Sequence, residues 1–294
     1  HYGKTPPCTE AIIENGIAKV VVGSLDPNPK VAGKGIQILK DHGINVVTGV
    51  MEKECDDLNE VFMHYIKNKK PFVVMKYAMT ADGKIATRTG KSQWITGPEA
   101  RGQVHKDRHR YAGIMVGIGT VLADDPTLNC RLEDGLSPTR IICDTSLRIP
   151  MDSNIVRTAK TYDTIIATRS KDNEKIRKLK EAGCQILVQD GQADRIDLVD
   201  LMDKVGSMGL DSVLLEGGGQ LNWSALEAGI VNKVQVYIGN KIFGGNDAKS
   251  PVGGYGVDLP DQAKRLKLTG LEKFGPDLLI EYRVENEVVE CSQG

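Results

Sequence analysis

A run of three glycines between a predicted strand and a predicted helix places the strongest limit on how this chain can fold. The run lies in LLEGGGQLN at 214–222, after apolar residues at 213–215 and before a helix-compatible segment at 223–228. Glycine lets the backbone approach an anion closely, and the first helical turn offers unpaired N–H groups and a positive dipole end. The GxGxxG spacing of the dinucleotide fingerprint is absent. Taken alone, the run suits a phosphate cradle and an ordinary turn about equally.

The composition indicates a globular protein. The chain has 294 residues, of which 40% are hydrophobic and 26% charged, and a formal net charge of −1. These values are typical of a globular protein with one large or two ordinary domains, and they indicate no attraction to nucleic acid or anionic membranes. No apolar run approaches the roughly 20 residues of a membrane span. Six scattered cysteines without a CxxC pair favour reduced thiols and a cytoplasmic location.

Strand-like and helix-like segments alternate along the chain, which predicts an α/β fold. Helices are expected at 9–15 (capped by Thr9), 33–42, 55–69, 98–111, 173–182 and 198–208. Strands are expected at 19–23, 44–48, 72–78, 114–116, 139–144, 164–168, 185–189, 233–238, 265–269 and 278–282, the last two antiparallel. A polar break at 67–71 predicts domains at 1–70 and 71–286, followed by a tail at 287–294.

One cysteine stands at a loop-to-helix junction. Cys8 follows two prolines and opens the first predicted helix, where the helix dipole favours a thiolate. The P-C pair is also the second half of the zinc-deaminase signature, H-x-E followed by P-C-x-x-C. His1 is the other nearby candidate ligand, and two ligands do not complete a zinc site. An ordinary loop cysteine therefore remains the alternative.

Longer motifs resemble one known family, the bifunctional deaminase/reductase of riboflavin biosynthesis. HYGKTPPCTEAI at 1–12 and DPNPKVAGKG at 26–35 are similar to its deaminase half. Its reductase half is similar, in order and spacing, to KYAMTADGKIAT at 76–87, SQWIT at 92–96, GTVLADDPTL at 119–128 and LLEGGGQLNW at 214–223. The resemblance extends from residue 1 to about residue 283.

The resemblance implies a dihydrofolate-reductase-like α/β domain, preceded by part of a cytidine-deaminase-like domain in residues 1–70. It implies NADPH-dependent reduction of the ribosyl group of 5-amino-6-(5-phosphoribosylamino)uracil to a ribityl group. The expected partner is thus a small phosphorylated pyrimidine, and a homo-oligomer is expected. The implied catalytic residues are Lys76 and Glu216, and the implied substrate contacts are Ser92, Arg108, Leu128, Arg131 and Glu216. The implied cofactor contacts are Ala78, Trp94, Thr120, Asp124, Thr145, Gly217, Gly218, Gly219, Gln220 and Leu221.

The deaminase half of the resemblance is incomplete. The family's zinc-binding histidine, its catalytic glutamate and one cysteine have no match and would lie before residue 1. The chain as printed is therefore not expected to deaminate. Cys8 would bind zinc only within a longer parent chain.

The residue types at the matched substrate positions suit this chemistry, and each also has an ordinary structural role. Arg108 and Arg131 offer planar multi-donor groups for a phosphate, or simply exposed ion pairs. Glu216 suits ribose hydroxyls or a helix N-terminus, and Lys76 within an apolar strand either faces a ligand or snorkels.

The cofactor positions allow the same two interpretations. Trp94 suits stacking on the cofactor or a place in the core. Thr120 and Asp124 suit ribose or phosphate contacts or a turn. The pair Arg169-Ser170 after a strand suits a 2′-phosphate, which would select NADPH over NADH, or an ordinary strand exit.

A further pair, His105 and His109, lies one helical turn apart. We interpret it as an exposed helix face rather than a metal pair, because no third ligand lies nearby in the sequence.

The family chemistry leaves several hypotheses open. The cyclic ribosylamine would open to an imine that accepts hydride at C1′, with Glu216, Lys76 or water as the proton source. The chain would then be a reductase with a deaminase remnant, or a fragment of the bifunctional enzyme. The alternatives are a pteridine reductase of the dihydrofolate type and a non-catalytic α/β module that binds a nucleotide.

Overall fold

The chain separates into two units, His1–Pro71 and Phe72–Gly294, in the computed structural model. The structure describes residues 7–28, 33–191 and 194–285. The interpretation of His1 and the predicted tail at 287–294 lie outside these residues. Among the described helices, none has the length and apolar character needed to cross a bilayer.

The first unit builds two parallel strands and four helices from its described residues. In order they are α1 (Cys8–Glu14), β1 (Lys19–Val22), α2 (Lys34–Asp41), β2 (Asn45–Thr48), α3 (Glu52–Leu58) and α4 (Glu60–Asn68). Strands β1 and β2 pair in parallel from Lys19↔Asn45 to Val22↔Thr48. Helix α2 forms the crossover between them, so this is the predicted βαβ unit.

Two local predictions for this unit are wrong. Helix α1 begins at Cys8 with Pro7 as its N-cap, so Thr9 lies inside the helix and caps nothing. The helix predicted at 55–69 is interrupted at Asn59, between α3 and α4. The Asn59 side-chain amide donates to the Cys55 carbonyl at 2.9 Å, and such local bonds compete with the helical ladder.

The second unit alternates strands and helices and ends in a hairpin. Its elements are β3 (Phe72–Thr80), α5 (Pro98–Arg110), β4 (Gly113–Gly117), α6 (Ile118–Asp124), β5 (Thr139–Cys143), α7 (Asn154–Arg157), β6 (Thr164–Thr168), α8 (Asn173–Glu181), β7 (Gln185–Val188), α9 (Leu198–Ser207), β8 (Ser212–Leu215), α10 (Gly219–Glu227), β9 (Val231–Gly239), a 3-10 turn (Pro260–Gln262), β10 (Arg265–Phe274) and β11 (Asp277–Glu285).

One sheet of nine strands organises this unit, in the order β10-β11-β9-β3-β8-β4-β5-β6-β7. The run from β9 to β7 is parallel throughout, and β11 is antiparallel to both β9 and β10. Strand β8 lies between β3 and β4, although it comes much later in the chain. The carboxyl ends of β3, β8, β4, β5 and β6 therefore share one edge of the sheet, where open α/β sheets bind ligands.

Apolar side chains cover both faces of this sheet. Met75, Met115 and Leu215 belong to the cluster on one face, and Ile114 and Ile142 belong to the cluster on the other. Because side chains alternate along a strand, a buried strand needs apolar residues at nearly every position. The run of valines and isoleucines in the parallel strands meets this requirement.

Two elements at the ligand edge differ from prediction. No helix was predicted after the strand at 114–116, yet helix α6 begins there at Ile118. The helix expected at 223–228 begins instead at Gly219, with Gly218 as its N-cap. Helix α6 therefore follows β4 directly, and three residues separate β8 from α10. The free N–H groups of both helices lie at the sheet edge.

Candidate active site

Glu216 stands at the centre of the ligand edge because of how β8 is placed. All four residues of β8 are buried between β3 and β4. Met75 on β3 pairs with Leu215, the last residue of β8. Lys76 follows Met75 on β3, and Glu216 follows Leu215 directly after the end of β8. Glu216 also donates its backbone N–H to the Met115 carbonyl on β4 at 2.9 Å. The two side chains therefore emerge side by side from neighbouring strands.

The Glu216 carboxylate is held by two cations. The Arg108 guanidinium on α5 donates from Nε to Oε1 and from Nη2 to Oε2, both at 2.9 Å. Its third donor, Nη1, reaches the Asn129 carbonyl at 3.2 Å. Lys76 Nζ lies 3.8 Å from Glu216 Oε2. The alternative that Arg108 forms an exposed ion pair is therefore excluded, since its side chain is 14% exposed.

Burial and pairing set the protonation of this cluster. Burial alone would raise the pKa of Glu216, but the charges of Arg108 and Lys76 and the Arg108 hydrogen bonds lower it to about 2. Burial lowers the pKa of Lys76, and the Glu216 charge opposes that change. The Glu216 carboxylate is thus ionised at neutral pH, whereas the Lys76 ammonium gives up its proton more readily than an exposed lysine.

A second buried pair lies beside this cluster, and the sequence interpretation missed it. Tyr237 on β9 donates its hydroxyl to Asp107 Oδ2 at 3.0 Å, and Gln103 donates to Oδ1 at 3.2 Å. The Tyr237 ring lies under Lys76, with 5.5 Å between Nζ and the ring centroid. The available signal was Tyr237 alternating with apolar residues on a buried strand, since a buried tyrosine hydroxyl needs a partner.

Helix α5 also brings His105 to the cluster. Burial, Arg108 and Arg131 all lower the pKa of His105, in that order of importance, so its imidazole is neutral at neutral pH. Arg131 itself is exposed, and the residue before it, Cys130, contacts the His105 carbonyl on α5 at 3.3 Å. The prediction of an exposed histidine pair is correct for His109, whose Nδ1 accepts from Leu136 N–H at 2.9 Å, and wrong for His105.

The three glycines after Glu216 have different surroundings. A side chain at Gly217 would meet Asn222 Oδ1 at 2.8 Å, and one at Gly219 would meet the Ser250 carbonyl at 2.9 Å. At Gly218 nothing lies within 4 Å of an added Cβ. Two glycines therefore permit close packing, and Gly218 opens onto free space at the N-terminus of α10.

The remaining predicted cofactor positions extend along the same edge. Thr120 is half-buried and Asp124 exposed on α6, and Thr145 follows the end of β5. The Thr145 carbonyl accepts from the Arg169 N–H at 3.0 Å, which draws the ends of β5 and β6 together. Gln220 is exposed, and Leu221 packs against Gly117.

On the other side of Lys76, the loop before α5 carries Ser92 and Trp94. Trp94 is 58% exposed, its ring stacks on Arg101 at 4.5 Å, and its carbonyl accepts from Lys241 at 2.8 Å. Its role as a core aromatic is thus excluded. Ser92 is half-buried, and Ala78 on β3 packs beside Tyr237.

The Leu128 side chain is 4% exposed and belongs to the core. Any substrate contact at this position would therefore come from its backbone.

Cys8 belongs to the first unit. It is exposed and free, at the first position of α1. Within residues 7–28, 33–191 and 194–285, no three histidine, cysteine, aspartate or glutamate side chains form a group that could hold a metal ion. The described residues therefore provide no complete zinc site around Cys8.

Comparison with known proteins places this geometry in a family. The model of the RibD C-terminal domain matches residues 71–280. RibD of Actinobacillus pleuropneumoniae is 53% identical over 284 residues, which are 97% of this chain and 76% of that protein. RibD of Escherichia coli K12 is 33% identical, with 95% of this chain and 78% of that protein covered. The chain thus spans about three quarters of the length of these relatives.

Solved structures agree with this assignment. The Thermotoga maritima protein described as a diaminohydroxyphosphoribosylaminopyrimidine deaminase/5-amino-6-(5-phosphoribosylamino)uracil reductase is 35% identical, with a TM-score of 0.83 over 97% of this chain and 76% of that one. The riboflavin-biosynthesis reductase Rib7 of Saccharomyces cerevisiae is 26% identical, with a TM-score of 0.59 over 78% of this chain and 100% of that one. The predicted dihydrofolate-reductase-like α/β fold is confirmed. This chain belongs to the RibD family of riboflavin-biosynthesis proteins, and residues 71–280 form the family's C-terminal reductase domain.

Proposed function

We propose that this chain reduces the ribosyl side chain of 5-amino-6-(5-phosphoribosylamino)uracil to the ribitylamino product, with NADPH as the reductant. The observation that carries the proposal is the ion cluster of Glu216, Arg108 and Lys76 beside the open backbone of Gly218. It combines a fixed carboxylate, a protonated amine and a cradle for an anionic cofactor at one sheet edge.

We assign the substrate contacts from the hydrogen-bonding sites that these groups still have available. Each carboxylate oxygen has about two acceptor sites, so Glu216 can receive ribose hydroxyls while Arg108 holds it. Arg131 is exposed at the rim of the cluster and suits the 5′-phosphate. Arg108, by contrast, is committed to Glu216 and Asn129, so we assign it the role of orienting the carboxylate.

The sequence left Glu216, Lys76 and water as possible proton sources, and the protonation states of the two side chains favour Lys76. Glu216, with a pKa of about 2, has no proton to give at neutral pH. The Lys76 ammonium can donate to the ring oxygen O4′ as the C1′–O4′ bond breaks. The nitrogen lone pair at C1′ then forms a protonated imine, which hydride addition at C1′ converts to the amine. Lys76 regains its proton from solvent, so one proton and one hydride are consumed.

The edge from β8 to β6 fits the cofactor, which when bound supplies the hydride. Gly218 and the first N–H groups of α10 suit its pyrophosphate, and Thr120 and Thr145 suit its ribose or phosphate oxygens. Arg169 lines a cleft of about 470 Å³ at the ends of β6 and β7 and suits the 2′-phosphate. Among the described residues, no carboxylate forms an ion pair with Arg169, whereas Asp200 in the same cleft is paired with Lys204 at 2.7 Å.

A turnover assay tests the reaction. Adding the phosphorylated pyrimidine should oxidise NADPH, and cofactor binding without turnover would favour the non-catalytic alternative. Arg131→Ala should raise KM for the substrate about 10- to 100-fold, the expected loss for a phosphate contact of about 1.5–3 kcal/mol. Arg265→Ala, at an exposed site on β10, is the control. If a pteridine without phosphate reacts equally well and Arg131→Ala has no effect, a dihydrofolate-type reductase is the better assignment.

A binding measurement tests the cofactor assignment separately. Arg169→Ala should weaken NADPH binding and leave NADH binding unchanged, as measured by isothermal titration. Lys171→Ala changes a neighbouring, 80% exposed cation and should alter neither. An unchanged NADPH/NADH preference in Arg169→Ala would remove the 2′-phosphate assignment and leave the reductase assignment intact.

A further inference from the structure

Lys76 and four other buried or nearly buried side chains form a closed ring. Lys76 contacts Glu216 on one side and the Tyr237 ring on the other. Glu216 is held by Arg108, and Tyr237 is held by Asp107. Asp107 and Arg108 are consecutive residues of α5, so the two halves of the ring meet on one helix.

Consecutive helical residues differ by about 100° in direction, so Asp107 and Arg108 can serve two strands at once. Arg108 reaches the end of β8, and Asp107 reaches β9 on the other side of β3. Lys76 lies on β3, between these two strands. Helix α5 thus fixes both side chains that border the ammonium, although neither of its residues needs to touch a substrate.

The charges of the ring balance. Lys76 and Arg108 contribute two positive charges, and Glu216 and Asp107 contribute two negative charges. Asp107 is 4% exposed, and burial raises its pKa above the ordinary carboxyl value, although the hydrogen bonds from Tyr237 and Gln103 oppose that change. A buried cation without a compensating anion costs several kcal/mol, so Asp107 has a stabilising role even at a distance from Lys76.

We propose that Asp107 is a positioning residue for Lys76: it anchors the Tyr237 ring on which the ammonium rests and supplies the second negative charge that keeps the ammonium protonated. The proposal rests on the proposed function, in which Lys76 gives its proton to the substrate. Asp107 touches neither substrate nor cofactor in this scheme.

Several charged or titratable groups face Lys76 from the surrounding elements. Glu216 faces it from the end of β8, Tyr237 from β9, and His105, Asp107 and Arg108 from α5.

Farther out on β11, Glu281 influences Asp107 and is itself paired with Lys233 at 2.9 Å. Of all these groups, Asp107 and Glu216 are the carboxylates that raise the pKa of Lys76.

The test uses three variants of the full chain with isotope-labelled lysine side chains. Asp107→Asn keeps a hydrogen-bond acceptor for Tyr237 and removes the charge. Tyr237→Phe keeps the ring and the charge and removes the hydrogen bond. Glu99→Gln removes an exposed carboxylate from the first turn of the same helix and is the matched control. A fourth variant, Lys76→Met, identifies the Lys76 signal in the NMR spectrum.

The Asp107 carboxylate favours the protonated form of Lys76. Asp107→Asn should therefore move the Lys76 titration and the alkaline limb of the kcat/KM profile to lower pH. We expect kcat to fall about 10- to 100-fold with little change in KM. Tyr237→Phe should lower kcat and move the Lys76 titration less, and Glu99→Gln should alter neither. If Asp107→Asn fails to fold, the comparison of Tyr237→Phe with Glu99→Gln decides: equal kcat values would overturn the proposal.

The two readouts separate this proposal from the proposed function. An unchanged Lys76 titration in Asp107→Asn refutes the positioning role, whether or not the chain turns over. Absence of NADPH oxidation by the wild-type chain refutes the reductase assignment, and the NMR titration still decides whether Asp107 acts on Lys76.

Discussion

The ion cluster at Glu216 should make the second unit sensitive to acid, and one substitution isolates this effect. The pKa of Glu216 is about 2 in the folded chain against an ordinary value of 4.5, which corresponds to about 3 kcal/mol of stability. Because the folded value is depressed, this contribution is fully present above pH 4.5 and is lost as the pH falls toward 2. By pH 3.5 the loss reaches about 1.4 kcal/mol.

Glu216→Gln removes the titrating group and leaves two buried cations with one fewer partner. At pH 7 we expect a loss of about 3 kcal/mol in the free energy of unfolding, the usual cost of breaking a buried ion pair. Between pH 7 and pH 3.5, the variant should lose about 1.4 kcal/mol less than the wild type, so the two stabilities converge in acid.

Urea unfolding followed by tryptophan fluorescence measures this difference. Both tryptophans, Trp94 and Trp223, lie in the second unit, so their signal reports that unit alone. Glu272→Gln, at an exposed position on β10, removes a carboxyl group without breaking the ion cluster and serves as the control. If Glu216→Gln and the wild type lose the same stability between pH 7 and pH 3.5, the assigned depression of the Glu216 pKa is wrong.

Four further substitutions test other parts of the structure. Gly219→Ala should destabilise the fold, because its Cβ would meet the Ser250 carbonyl at 2.9 Å, whereas Gly218→Ala should fold normally and weaken NADPH binding; equal melting temperatures for the two variants would contradict this. Arg140→Lys should cost about 3 kcal/mol in urea unfolding, since the fully buried guanidinium makes several hydrogen bonds that lysine cannot reproduce. Trp94→Leu should raise the Kd for NADPH several-fold without changing the melting temperature, because the ring is mostly exposed.

The elements that were predictable from the sequence are those with strong local signals. The buried parallel strands read as apolar runs, and the predicted βαβ start and antiparallel end both occur in the structure. The helix starts at Ile118 and Gly219 were missed, because glycine-rich sequence after a strand usually indicates a loop. The break at Asn59 was missed for the opposite reason: the apolar spacing around it fits one continuous helix, and the break lies in the backbone angles of Asn59, with φ −105° and ψ 25°.

The candidate site was predictable as a set of positions and not as a set of bonds. The family resemblance implies site positions at Lys76, Arg108 and Glu216, but nothing local indicates that the last two, 108 positions apart, form two parallel hydrogen bonds. The Tyr237–Asp107 bond spans 130 positions, and Asp107 lies in no motif that was singled out. Such pairs depend on sheet order, which the linear pattern does not give for a strand inserted as late as β8.

Helix α5 shows why the fold and the site cannot be separated here. Its sequence, PEARGQVHKDRHR, has few apolar residues, so it resembles a solvent-exposed helix. Only Ala100 and Val104 give it an apolar contact with β9 and β11. The rest of its buried face carries Asp107 and Arg108, whose hydrogen bonds to Tyr237 and Glu216 dock the helix on the sheet. The bonds that orient Lys76 are therefore also the bonds that hold α5 in place, and a variant that weakens them should lose stability and activity together.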